Sequence, residues 1–155
     1  MDKLNPQQLE SWRTFLKTHA KIITLIEQDL ASEKRVPLST YDVLIALYEA
    51  PGKRLRINEI GKSVVLSRSG LTRLVDRLER ENLIIRERSE TDRRGAFAVL
   101  TRDGQRELLK AWPVYAKGIQ EHFVSKVSNE ELELLRTILQ KMQFDDEEQE
   151  KTPLI

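Results

Sequence analysis

Ser67-Arg68-Ser69-Gly70-Leu71-Thr72-Arg73-Leu74-Val75-Asp76-Arg77-Leu78-Glu79-Arg80 decides how the rest of the chain is read. Leu71, Leu74, Val75 and Leu78 recur at i, i+3, i+4 and i+7, the spacing of one buried helix face. At about 100° per residue the opposite side carries Ser69, Thr72, Arg73, Asp76, Arg77 and Arg80, with Arg68 beside it near the start. A helix over residues 67–81, with Ser67 as its N-cap, is expected. Its outward face is basic and rich in hydroxyls, which suits contact with a polyanion better than contact with a core.

Working outward, residues 58–64 read as a short helix carrying Ile60 and Val64, and Val65-Leu66 as a turn. Gly61 lies inside that helix, where glycine costs about 1 kcal/mol relative to alanine; close approach by a neighbouring helix is the expected reason. A short helix, a tight turn and a second helix with a polar outer face make the helix-turn-helix arrangement. On the other side, residues 83–88 and 96–100 read as two strands joined by the polar loop Ser89-Glu90-Thr91-Asp92-Arg93-Arg94-Gly95. That is a hairpin with a basic tip. Leu55-Arg56-Ile57 is a further short extended piece. The expected class is mainly α with a small β-hairpin, as a winged helix-turn-helix DNA-binding domain over residues 35–106.

The two ends of the chain are helical. Asn5-Pro6-Gln7-Gln8 is a helix start, with Asn as N-cap, Pro at the first position and Gln at N3. Leu9, Trp12, Leu16, His19, Ile23, Ile26 and Leu30 follow as a seam, and Phe15, Ile22 and Leu25 add a second stripe. One helix with two apolar stripes needs two partners, and a second subunit can supply one of them. Glu33-Lys34-Arg35-Val36-Pro37 ends it; Ser39 is expected to cap the next helix, with Val43, Leu44, Leu47 and Tyr48 inward and Pro51-Gly52 as the stop. Thr101 opens another long helix with Leu108, Leu109, Trp112, Tyr115, Ile119 and Phe123 on its apolar side and Pro113 as an expected kink. Ser128-Asn129-Glu130-Glu131 is a capping box for a last helix expected to bury Leu132, Leu135, Ile138, Leu139 and Met142. Residues 1–34 and 107–144 therefore form a helical dimerisation region, and residues 145–155 an acidic tail expected to be disordered.

Charge is distributed unevenly. Residues 53–106 hold 14 Lys/Arg and 8 Asp/Glu, against 12 and 17 elsewhere, although the net charge is only +1. A basic middle between acidic flanks is the footprint of a nucleic-acid module. The chain has no cysteine, which removes disulfides, thiolate metal sites and cysteine nucleophiles. Its two histidines, His19 and His122, stand on different helices without Ser-His-Asp spacing, HExxH, a phosphate loop or an acidic metal cluster. No enzyme, cofactor or metal is expected. No window approaches about 18 consecutive apolar residues and the first residues lack an apolar signal core, so a cytoplasmic location without membrane contact is expected.

Thr72-Arg73-Leu74-Val75-Asp76-Arg77-Leu78-Glu79 followed by Leu83-Ile84, and then Asp92-Arg93-Arg94 with Leu100-Thr101 and Gly104 beyond it, resemble the MarR family of bacterial winged helix-turn-helix regulators. The likeness covers nearly the whole chain in element order. Val65 stands in the turn where many helix-turn-helix proteins carry glycine, and the tip of the hairpin is short. The lack of cysteine sets the chain apart from the peroxide-sensing branch of the family. The resemblance implies a two-fold dimer and control by a small, often aromatic, ligand held between the dimerisation and DNA-binding regions.

Residue roles follow on that reading. The recognition helix enters the major groove through Ser67, Arg68, Ser69, Thr72, Arg73 and Arg77. Arg73 is the best candidate for bidentate contact to guanine, worth about 1–3 kcal/mol of discrimination; Ser67 and Arg68 suit backbone positioning. For Arg77 and Arg80 an ion pair with Asp76 or Glu81 on the same helix is the alternative. Arg94 is expected in the minor groove and Arg93 on a phosphate, while the resemblance gives Asp92 the role of supporting the wing. Trp12, His19, Tyr41, Trp112 and Tyr115 are candidates for the ligand pocket; core or interface packing is the competing reading for all five. One recognition helix buries little surface, so two copies reading a pseudo-palindromic operator are expected, as a repressor relieved by a small aromatic ligand. A winged helix used for protein contacts, or a ligand-independent regulator, are the alternatives.

Overall fold

The computed structural model of the chain describes residues 3–63, 68–88 and 96–142. Helix α1 runs Pro6–Ser32 and is opened by a reciprocal capping box between Asn5 and Gln8. Helix α2 spans Leu38–Glu49. A 3-10 turn at Pro51–Lys53 leads into strand β1, Arg54–Arg56. Helices α3, Ile57–Ser63, and α4, Arg68–Arg80, come next. Strands β2, Ile84–Arg88, and β3, Ala96–Leu100, precede α5, Arg102–His122, and α6, Asn129–Met142. The strands form one antiparallel sheet in the order β1-β3-β2, with Leu55 opposite Ala98 and Arg86 opposite Ala98 on its other side. The extended piece foreseen before the helix-turn-helix is thus the sheet's third strand. Among the described residues no helix is long and apolar enough to cross a membrane.

The core gathers around α2. Val43, Leu44 and Leu47 are fully buried with Ile60 of α3, Val75 and Leu78 of α4, and Ile84 of β2. Each such side chain stabilises the fold by about 1.5–3 kcal/mol. The periodic face of α4 is therefore the buried face, which turns the arginines outward. Gly61 is where α3 meets α4: a Cβ there would stand 3.0 Å from Leu71 Cδ2. Thr101 caps α5 by accepting from the Gly104 N–H at 2.9 Å, and its hydroxyl donates to the Asn82 carbonyl at 2.7 Å. The start of α5 is thereby fixed to the foot of the hairpin.

The structure departs from the expectation at several places: Tyr48, expected inward on α2, is exposed. Helix α2 starts one residue before Ser39, with Pro37 at the N-cap and no side-chain cap, because the proline already fixes the backbone at the entry. The last helix buries nothing within one chain: Ile138, Leu139 and Met142 are exposed, as is Leu134. The seam of α1 divides the same way. Ile26 and Leu30 pack against the core, whereas Trp12, Phe15 and Leu16 face solvent. Helix α5 continues through Pro113 as one element, and His122 Nε2 meets Asp29 Oδ2 at 2.7 Å, joining its end to α1.

Candidate DNA interface

Helix α4 is held on both flanks. On one side Arg77 Nη2 donates to Thr40 Oγ1 of α2 at 3.0 Å. Thr40 is 1% exposed, and a buried hydroxyl without a partner is costly, so this bond fixes both residues. On the other side Arg86 of β2 pairs with Asp76 and, at 3.3 Å, with Glu79. Between the two flanks Arg73 is exposed and forms no hydrogen bond or ion pair among the described residues. Thr72 is exposed on the same helix.

Among the described residues, neither Arg77 nor Arg80 forms an ion pair with Asp76 or Glu81. Arg80 Nε donates instead to the backbone carbonyl of Asp76 at 3.3 Å, and the Asp76 carboxylate is drawn to the sheet. The acids of the helix are thus neutralised from the strand side, which leaves the outward face positive. Sequence periodicity gave no sign of Arg86 or Thr40, because both lie on other elements. Arg68 and Ser69 open α4, but their side chains fall outside the described residues, as do Ser67, Asp92, Arg93 and Arg94 entirely.

The sheet carries positive charge up to the base of the wing. The Arg54 and Arg56 guanidinium groups lie over the Phe97 ring at 4.1 and 5.0 Å from its centroid, and Arg54 also meets Glu87 at 3.5 Å. Stacking on the aromatic face holds both guanidinium groups in place beside the strand.

Of the five candidate pocket residues, the structure brings three together. Tyr41 and Tyr115 meet edge to face with centroids 4.8 Å apart, and Trp112 lies 6.3 Å from Tyr115. Burial, with Tyr115, Asp42 and Glu49 nearby, pushes the Tyr41 hydroxyl up to about 12, and burial raises Tyr115 as well. Both stay protonated phenols at neutral pH. Trp12 and His19 stand on the exposed half of α1, where Trp12 stacks on Phe15 at 6.2 Å.

Comparison with known proteins agrees with this geometry. A family model described as MarR family matches residues 36–95. The HTH-type transcriptional regulator MhqR of Bacillus subtilis is 35% identical over 102 residues, 66% of this chain and 68% of that protein. The crystal structure of AbsC, a MarR family transcriptional regulator from Streptomyces coelicolor, superposes with a TM-score of 0.82 at 30% identity, covering 92% of this chain and 95% of that one. Sco3205, another MarR family transcriptional regulator of that organism, was solved in complex with DNA; it has a TM-score of 0.82 at 25% identity, with 94% of each chain covered. These relatives are regulators, not enzymes. With the braced, outward-facing basic helix, the three-stranded wing sheet and these likenesses together, the chain belongs to the MarR family of winged helix-turn-helix transcriptional regulators.

Proposed function

We propose that the chain works in the cytoplasm as a homodimeric repressor of pseudo-palindromic operators, released from DNA by a small aromatic ligand. The observation that carries the DNA reading is Arg73, exposed on a helix fixed at both flanks by Thr40 and Arg86. A side chain presented this way can meet a base edge without first breaking a bond of the fold. Arg93 and Arg94 belong to the minor groove in this reading, with Asp92 bracing the loop.

Support for the dimer comes from the ends of the chain. Trp12, Phe15 and Leu16 of α1, Leu109 and Trp112 of α5, and Leu134, Ile138, Leu139 and Met142 of α6 are all exposed large hydrophobic side chains. So many on the helices outside the DNA-binding domain mark an association surface. The Tyr41–Tyr115–Trp112 group stands where α2 meets α5, so a ligand wedged there would act on the helix that holds Arg77.

The experiment is a titration of the full chain against a randomised duplex pool at two salt concentrations, with the bound fraction sequenced. Enrichment of a pseudo-palindrome, with affinity falling steeply as salt rises, is the expected result. A pool that stays random at both concentrations would refute sequence-specific binding.

A further inference from the structure

The recognition helix has a second basic feature besides its outward centre. Ser39, near the start of α2, faces Gly70, Arg73, Leu74 and Arg77 of α4 across a groove of about 220 Å³. Among the described residues no carboxylate lines it, and Asp76 and Glu79 are engaged by Arg86 on the far flank of the helix. Arg77 is tied into this groove from one side only: Nη2 bonds Thr40, and a guanidinium has five N–H donors in a fixed fork. The Ser39 hydroxyl makes no hydrogen bond among the described residues. The groove therefore pairs one immobilised guanidinium with a neutral hydroxyl donor, at the edge of the surface that carries Arg73.

We propose that Ser39 and Arg77 form a seat for one DNA backbone phosphate, so that Arg77 positions the recognition helix while Arg73 reads bases. This rests on the DNA-binding reading above and refines it. An arginine anchored at one nitrogen to a buried threonine cannot swing toward a base edge without abandoning Thr40. It can, however, offer its remaining donors to an anion that comes to it. A phosphate suits such a site, since charge-assisted bonds from arginine and a hydroxyl match its several acceptor oxygens. Contacts of this kind set register on the duplex and carry no sequence information.

The test compares the unsubstituted full chain with Ser39→Asp and Ser39→Asn, against the duplex enriched from the randomised pool and a scrambled duplex of equal composition, over a range of salt. Ser39→Asp brings a carboxylate to Arg77 and closes the seat. It is expected to weaken both duplexes by the same factor, about tenfold, and to make the dependence of log K on log salt shallower by about one for each copy bound. Ser39→Asn, of the same size without the charge, is expected to bind within about twofold of the unsubstituted chain. The inference is overturned if Ser39→Asp binds as the unsubstituted chain does. It is equally overturned if only the enriched duplex is weakened, with a new base preference, since the pair would then be reading sequence. Failure of the unsubstituted chain to bind either duplex would instead bring down the DNA reading itself, and the phosphate seat with it.

Discussion

Arg73 and Arg77 are four residues apart on one helix and end in different chemistry. Arg77 is spent in part on the buried hydroxyl of Thr40, while Arg73 is left in solvent. Arg73→Ala is therefore expected to lower affinity for the enriched duplex by about 1–3 kcal/mol and to relax the preference at one base position, read from a second round of pool sequencing. An equal loss on every duplex would make Arg73 a phosphate contact. Asp42 gives a prediction about pH. It is half-buried, and burial, together with Glu27 nearby, holds its carboxyl above the usual aspartate value. The folded chain thus binds that proton more tightly than the unfolded chain does, so ionisation weighs against folding as pH rises through the raised value. Asp42→Asn should raise the thermal midpoint at pH 7, and the gain should vanish as pH falls below the ordinary value of 3.8. A lower midpoint at pH 7 would show instead that the carboxylate has a cationic partner in the assembled protein.

Elements were legible in the sequence wherever their periodicity or caps are local. The buried face of α4, the capping boxes at Asn5 and Ser128 and the hairpin strands are all where the residues place them. Contacts between elements were legible less often. Gly61 announced a neighbour through its cost to the helix, and Leu71 is that neighbour. Arg86 and Thr40 announced nothing, because their partners lie 10 and 37 residues away on other elements. Gly104, in the stretch that opens α5, carries no sequence signal of its neighbours, yet it governs the join between the hairpin and α5. A Cβ there would stand 2.1 Å from the carbonyl oxygen of Leu83 and 2.9 Å from Leu100. Backbone cannot yield as a flexible side chain can, so Gly104→Ala is expected to cost about 1–3 kcal/mol as an overpacking substitution. Denaturant titration would measure it; a change of under about 0.5 kcal/mol would mean that α5 can slide away from the sheet without penalty.

At the scale of the whole molecule, the proposed function gives the basic middle and the apolar ends separable duties, which the dimer would couple. The sequence showed the apolar seams of the first and last helices but not which half of each a single chain covers. That depends on where α5 crosses α1, and the crossing buries Ile26 and Leu30 while leaving Trp12 and Phe15 outside. Leu134 and Met142 are 60% and 64% exposed, so replacing both with Glu removes little from the fold of one chain. The double variant is expected to sediment as a monomer with its helical content intact. Two recognition helices about 34 Å apart read successive half-sites on one face of the duplex, and a monomer brings only one. The variant should therefore lose its preference for the full pseudo-palindrome over a single half-site, while its salt-dependent binding to unrelated duplex, which comes from phosphate contacts in each copy, should persist. A variant that still sediments as a dimer would move the interface off α6. One that is monomeric yet keeps the full preference would mean that a single chain spans the operator, which one exposed Arg73 on a helix of 13 residues gives no means to do.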